Sequence, residues 1–96
     1  MTQLSRHGKL ALEYWQAYRP RALANLGSPE EQAEFFHALD LRLTERIGML
    51  ADDLLQELPS DKRATARRAV RSQAQERVYA EEVFLEKEPG TEHREI

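Results

Sequence analysis

Apolar residues recur at helical spacing along three stretches of the chain, and proline or glycine separates each stretch from the next. Between residues 4 and 26, Leu4, Ala11, Trp15, Tyr18, Ala22 and Leu26 follow one another in steps of three, four or seven, which sets them on one helix face. Pro20 falls inside this segment, yet the stripe keeps its phase across it. The pattern therefore predicts a single helix, bent near residues 16–19, with Gly27 as the residue beyond its end.

The second stretch has the clearest start signal. Ser28-Pro29-Glu30-Glu31 places a hydroxyl at the N-cap, proline at the first helical position and glutamate at the third, a capping box with acids at the positive end of the helix dipole. Phe36, Leu39, Leu43, Ile47, Leu50, Leu54 and Leu58 then alternate steps of three and four, as in a coiled-coil seam. Leu41, Ala51 and Leu55 widen the seam on one flank and Phe35 on the other, so this face should meet two neighbours. Two residues run against the pattern: Asp40 at the seam's edge, and Gly48, which costs about 1 kcal/mol relative to alanine.

Pro59 ends that helix, and Ser60 or Asp61 is the expected cap of a third, running to about residue 86. Its face is thin: Ala66, Val70, Ala74, Val78 and Leu85, with Phe84 beside it. A short strand at Val83-Phe84-Leu85 is the alternative for its end. The short connections favour antiparallel neighbours. The expected fold is all-α: a three-helix up-down-up bundle with two long antiparallel helices, forming one domain over residues 1–88, and a flexible acidic tail over 89–96.

Composition narrows the chemistry. Ninety-six residues suffice for one domain. The absence of cysteine removes disulfides, thiolate zinc sites and a cysteine nucleophile. The four glycines form no phosphate-cradling motif. No apolar run is long enough for a bilayer, and the first residues carry no apolar signal core, so a soluble, cytoplasmic protein is expected. Ser5, Ser28, Ser60 and Ser72 have no paired histidine, and the adjacent Asp52 and Asp53 point about 100° apart on a helix. Neither an enzyme nor a cofactor is expected.

Charge changes the picture more than composition does. The net charge of −3 resolves into blocks: +3 over residues 1–27, −6 over 28–58, +4 over 61–80 and −4 over 81–96. Such blocks suit neighbouring helices that attract one another. Arg63, Arg67 and Arg71 form an i, i+4 row with Arg68 alongside, either paired with the acidic helix before it or free to meet a phosphate backbone or an acidic protein groove. Tyr14, Arg19, Glu30 and Glu34 are candidate protein contacts, with core packing as the alternative for Tyr14. Glu34-x-x-His37 is half of a carboxylate-bridged metal motif. Completing it would take a dimer, with Glu13 or Glu45 as further ligands; otherwise the pair is a solvated Glu and a surface His.

Two segments resemble the TnpV-like transposon-encoded proteins. The string Tyr14-Trp15-Gln16-Ala17-Tyr18-Arg19-Pro20, followed by Leu26, is similar to that family's Y-L-K-E-H-R-P…L-L segment. The string from Ala74 through Glu76, Val78 and Glu81 to Phe84 is similar to its closing A-x-E-I-V-x-x-E-L-I-Y. The family's G-K-L-x-x-Y-L stretch is absent, because Gly27 leads directly into the Ser28 cap. The resemblance implies a small helical protein carried on a mobile element and transfers no catalytic residues. The expectation is a non-enzymatic accessory protein of a transposon, plasmid or phage that binds a protein partner or itself through its helices. Inhibition of a nucleic-acid-binding host protein is one form of that role. A small DNA-binding regulator is the alternative, and a dimer-assembled metal protein a more remote one. No membrane or small-molecule substrate is expected.

Overall fold

In a computed structural model, which describes residues 3–94, the chain is all-α: α1 (Arg6–Tyr18), α2 (Pro20–Asn25), α3 (Pro29–Gln56), a 3₁₀ turn (Ser60–Lys62) and α4 (Arg63–Glu82). No strand occurs among the described residues, and residues 83–84 form a turn and bend leading into an irregular segment.

The expected single bent helix is two helices. Proline disfavours the helical conformation in the residue before it, and Arg19 sits at φ −136°, ψ 49°. Its N–H still bonds to the Trp15 carbonyl (2.8 Å), closing α1, and Pro20 opens α2 at a position where its missing donor costs nothing. Gly27 follows α2 at φ +114°, a left-handed conformation natural to glycine. The capping box of α3 forms as its sequence predicts: Glu31 N–H donates to Ser28 Oγ and Ser28 N–H to the Glu31 carboxylate, both at 3.2 Å. The expected Ser60 or Asp61 cap does not form. Residues 60–62 take a 3₁₀ turn instead, and α4 begins without a side-chain cap. It also ends earlier than residue 86, where the Tyr79 carbonyl accepts from the N–H groups of both Val83 and Phe84.

Most packing joins α3 to α4. Phe36, Leu39, Leu43, Ile47 and Ala51 of α3 are buried with Val70, Ala74 and Val78 of α4. Val83, just past α4, is fully enclosed. Across this pair, α1 sets Ala11, Tyr14, Trp15 and Tyr18 into the core. Its start lies at Asp40 and Tyr79, while its end lies at Phe35, Phe36 and Phe84. The Trp15 ring lies 5.2 Å from Phe35 and 5.4 Å from Phe36, centroid to centroid.

Asp40, the residue that ran against the seam, caps α1 from another helix. Its carboxylate accepts from Ser5 N–H (2.6 Å), from the Ser5 hydroxyl and from Gly8 N–H (3.1 Å). These include donors that a helix start leaves without intrahelical partners, and the negative charge sits at the positive end of the α1 dipole. Gly8 permits the approach, since a Cβ there would lie 2.8 Å from both Cβ and Cγ of Asp40.

The last described residues also differ from expectation. The free tail predicted from residue 89 is bound along α1 and α2 as far as Arg94; Glu95 and Ile96 lie outside the described residues. Glu88 N–H donates to the Tyr18 carbonyl (2.8 Å), and the Glu88 carboxylate caps α2 by accepting from Arg21 N–H (3.0 Å) and Ala22 N–H (2.9 Å). Tyr14 donates to the Leu85 carbonyl (2.5 Å), Tyr18 to that of Arg94, and Arg19 to that of Glu86 (2.9 Å). Thr91 is buried, its hydroxyl bonding to the Glu88 carbonyl at 2.7 Å. In most of these bonds a backbone carbonyl, not a side chain, is the acceptor.

Gly8 and Gly48 should therefore respond oppositely to alanine. Gly8→Ala pushes a methyl into Asp40 and should lower stability by about 1–3 kcal/mol. A Cβ at Gly48 meets nothing within 4 Å, so Gly48→Ala should raise stability by about 0.8–1 kcal/mol through helix propensity alone. Urea unfolding followed by circular dichroism checks both signs.

Candidate functional site

The charged residues nominated by the sequence part company in the structure. Arg63 does not stay in the basic row. Its Nε lies 3.1 Å from the Leu55 carbonyl and 3.2 Å from that of Leu58, and its Nη2 lies 3.2 Å from that of Gln56. It caps the C-terminus of α3, where carbonyls lack intrahelical donors and a cation meets the negative end of the dipole. Arg67, Arg68 and Arg71 are exposed, and among the described residues none of them forms an ion pair.

The α3–α4 ion pairs do not join the −6 block to the +4 block. Arg42 and Arg46, the two cations of the acidic helix, hold Glu82 at 2.9 and 2.7 Å, and Arg46 also holds Glu81 at 2.8 Å. The majority charges of both helices are thereby left outward: Glu30, Glu34, Asp52, Asp53 and Glu57 on α3 and its cap, and three arginines on α4.

Those arginines meet a residue that spacing along one helix does not reveal. Arg6, at the start of α1, donates to Gln75 Oε1 (2.9 Å) and lines a cleft of about 260 Å³ with Arg68, Arg71, Ser72 and Gln75. Among the described residues, no carboxylate lines it. An adjoining cleft of about 550 Å³ shares Arg6 and Gln75 and adds Lys9, Leu10, Glu13 and Tyr79. A sequence reading could have found Arg6 only by placing the start of α1 against the middle of α4.

Behind the cleft lies a buried pair. His7 Nδ1 is 2.5 Å from the Tyr79 hydroxyl. Burial, reinforced by the charges of Arg6 and Arg71 and opposed by Asp40, holds the imidazole below its ordinary 6.5. Burial also raises the Tyr79 phenol, with Asp40 adding and Arg6 opposing. Nδ1 and the phenol hydroxyl share this hydrogen bond, and the imidazole tautomer sets which of them donates. At Asp40 burial acts to raise the pKa, but the hydrogen bonds from Ser5 and Gly8 and the charge of His7 prevail, and the carboxyl lies below its usual range.

Tyr14 and Arg19 are engaged internally. Tyr14 is buried, and Arg19 stacks over Trp15, 4.8 Å from the ring centre, while bonding to Glu86. Glu30 and Glu34 are exposed. His37 is half-buried with Nδ1 unpartnered, and Glu13 and Glu45 are exposed. Among the described residues, no three His, Asp or Glu side chains converge on a point where they would hold a metal ion. No helix of the described residues is long and apolar enough to cross a membrane. In comparison with known proteins, no family model, curated protein or solved structure matches the chain.

Stability should fall in two stages on acidification. Folded His7 resists protonation to a lower pH than unfolded His7, so its contribution is complete above about pH 6.5 and is lost as pH falls below it. Glu88 is also depressed, with burial opposing and the bonds from Ala22 and Arg21 prevailing. The contributions of Asp40 and Glu88 are present above about pH 4 and are lost as pH falls through their folded values. Urea midpoints measured against pH should show both stages. His7→Gln, which keeps a hydrogen-bonding group for Tyr79 but does not titrate, should abolish the upper stage and, by removing a charge beside Asp40, make the lower one smaller.

Proposed function

We propose that the chain is a non-catalytic interaction protein that self-associates through the far end of its α3–α4 hairpin and uses that assembly to bind a protein partner. The observation that carries this reading is a mismatch of lengths. At about 1.5 Å per residue, α3 spans about 42 Å and α1 about 20 Å. The described contacts of α1 with α3 fall at Phe35, Phe36 and Asp40, in its first half. Beyond Ile47, Leu50, Leu54, Leu55 and Leu58 of the seam remain half-buried, and Met49 is 61% exposed. The radius of gyration, 15.8 Å, exceeds the roughly 12.5 Å of a compact chain this long.

A second copy is the occupant that best fits this end. Asp52, Asp53 and Glu57 lie on the α3 arm and Lys62 and Arg67 on the α4 side. A twofold axis brings the acidic arm of one hairpin against the basic arm of the other, so one patch is complementary to itself. Two hairpins joined this way make a four-helix bundle. Within each subunit, this reading takes α1, α3 and α4 as an up-down-up set, on the support of the short connections between them.

A role as an accessory factor of a mobile element rests on the two TnpV-like segments. They come from opposite ends of the chain and meet through Tyr14 and Phe84, whose rings lie 5.5 Å apart.

Sedimentation equilibrium of the purified chain should show a dimer that weakens with salt. Leu54→Glu should yield a helical monomer, since this side chain is only half-buried. A wild-type chain that stays monomeric at all accessible concentrations overturns the association. A recombinase or transposase gene beside the coding sequence is the expected neighbourhood, and a housekeeping operon overturns the mobile-element reading.

A further inference from the structure

We propose that the cleft between the start of α1 and α4, lined by Arg6, Arg68, Arg71, Ser72 and Gln75, is a binding site for a dianionic phosphoryl group. The charge in it is unbalanced. Three arginines from two helices line one open space of about 260 Å³ with no carboxylate among its described lining residues. The buried carboxylate in this part of the fold, Asp40, has both oxygens engaged by Ser5 and Gly8 and is unavailable to the arginines. Arg42, Arg46 and Arg77, by contrast, are paired with Glu81 and Glu82.

The donor set favours phosphate over carboxylate. A guanidinium presents a planar fork of N–H donors that matches oxyanions in pairs. Arg6 binds the Gln75 side chain through the amide oxygen, so the amide NH₂ keeps its donors. Ser72 adds a hydroxyl. A carboxylate offers two oxygens and one charge, and cannot use three forks. A terminal phosphoryl group offers three oxygens and a charge of about −1.5 to −2 at pH 7. Inorganic phosphate and phosphate monoesters share that group.

The site carries an internal reporter. His7 is faced by Arg6 on α1, Asp40 on α3, and Arg71 and Tyr79 on α4, and the two arginines help to hold its pKa down. An anion that neutralises them relieves that field, and His7 should then titrate at higher pH.

The test is a proton NMR titration of His7 in the full chain, with phosphate against chloride at matched ionic strength. Phosphate, and not chloride, should raise the His7 pKa. Calorimetry with inorganic phosphate should show saturable binding, weakened about tenfold or more by Arg68→Gln and by Arg71→Gln. Both positions are exposed on α4, so folding is retained. Arg21→Gln, exposed on α2 and outside both the cleft and the association surface, should leave binding unchanged. Phenyl phosphate competing for the site extends it to monoesters, and failure to compete confines it to the free anion. Equal effects of phosphate and chloride overturn the proposal. So does a duplex oligonucleotide lacking terminal phosphates whose binding falls as much with Arg67→Gln as with Arg71→Gln, because the face would then track a polyanion rather than hold one group.

Discussion

The fold depends on one carboxylate placed at the start of a helix it does not belong to. Asp40 projects from α3 to the first turn of α1, and both of its oxygens accept from that turn. A hydrogen bond to a charged group contributes about 1.5–3 kcal/mol, and leaving a buried charge without partners costs more. α1 is therefore held in both register and direction. Sliding it by one residue would strand the carboxylate, and a side chain at Gly8 would push the two helices apart. Placement of Trp15 on Phe35 and Phe36, of His7 on Tyr79, and of Arg6 at the mouth of the cleft all follow from that anchor.

Distant capping recurs. Glu88 supplies the N-terminal acceptors of α2 from sixty-odd residues away, and Arg63 closes the carbonyls of α3 from across the turn. Only α3 carries its own N-terminal cap, in Ser28 and Glu31. A thin-cored chain of this length has little apolar area with which to orient short helices, and these charge-to-backbone bonds supply direction that packing alone would leave loose. They also engage charges that a purely electrostatic reading would assign to a partner.

That division explains what could be read from the sequence. The α3 start was legible because its cap is local, four consecutive residues with one meaning. The α3 seam and the Val70, Ala74, Val78 face were legible because their period is that of the helix. Asp40 was visible only as an exception to a pattern, since its partners lie thirty-two and thirty-five residues away. Net charge by block anticipated attraction between α3 and α4, but the ion pairs join the minority charges of each helix, which an average over a segment hides. The strap from Leu85 to Arg94 left no side-chain pattern, because its carbonyls are what Tyr14, Tyr18 and Arg19 hold. Arg6 escaped notice because the cleft is made by two helices meeting, and no spacing along either one encodes it.

That strap has a consequence for the order in which the protein forms. Synthesis delivers α1 before every group that fixes it: Asp40 after a delay, Tyr79 and Glu88 later still. The α3–α4 hairpin needs only neighbouring sequence and can close while α1 still lacks its far partners, whereas fastening Tyr18 to Glu88 closes a loop of some seventy residues. During synthesis α1 therefore waits as a solvated amphipathic segment with Trp15 and two tyrosines uncovered, and its concealment follows closure of the hairpin.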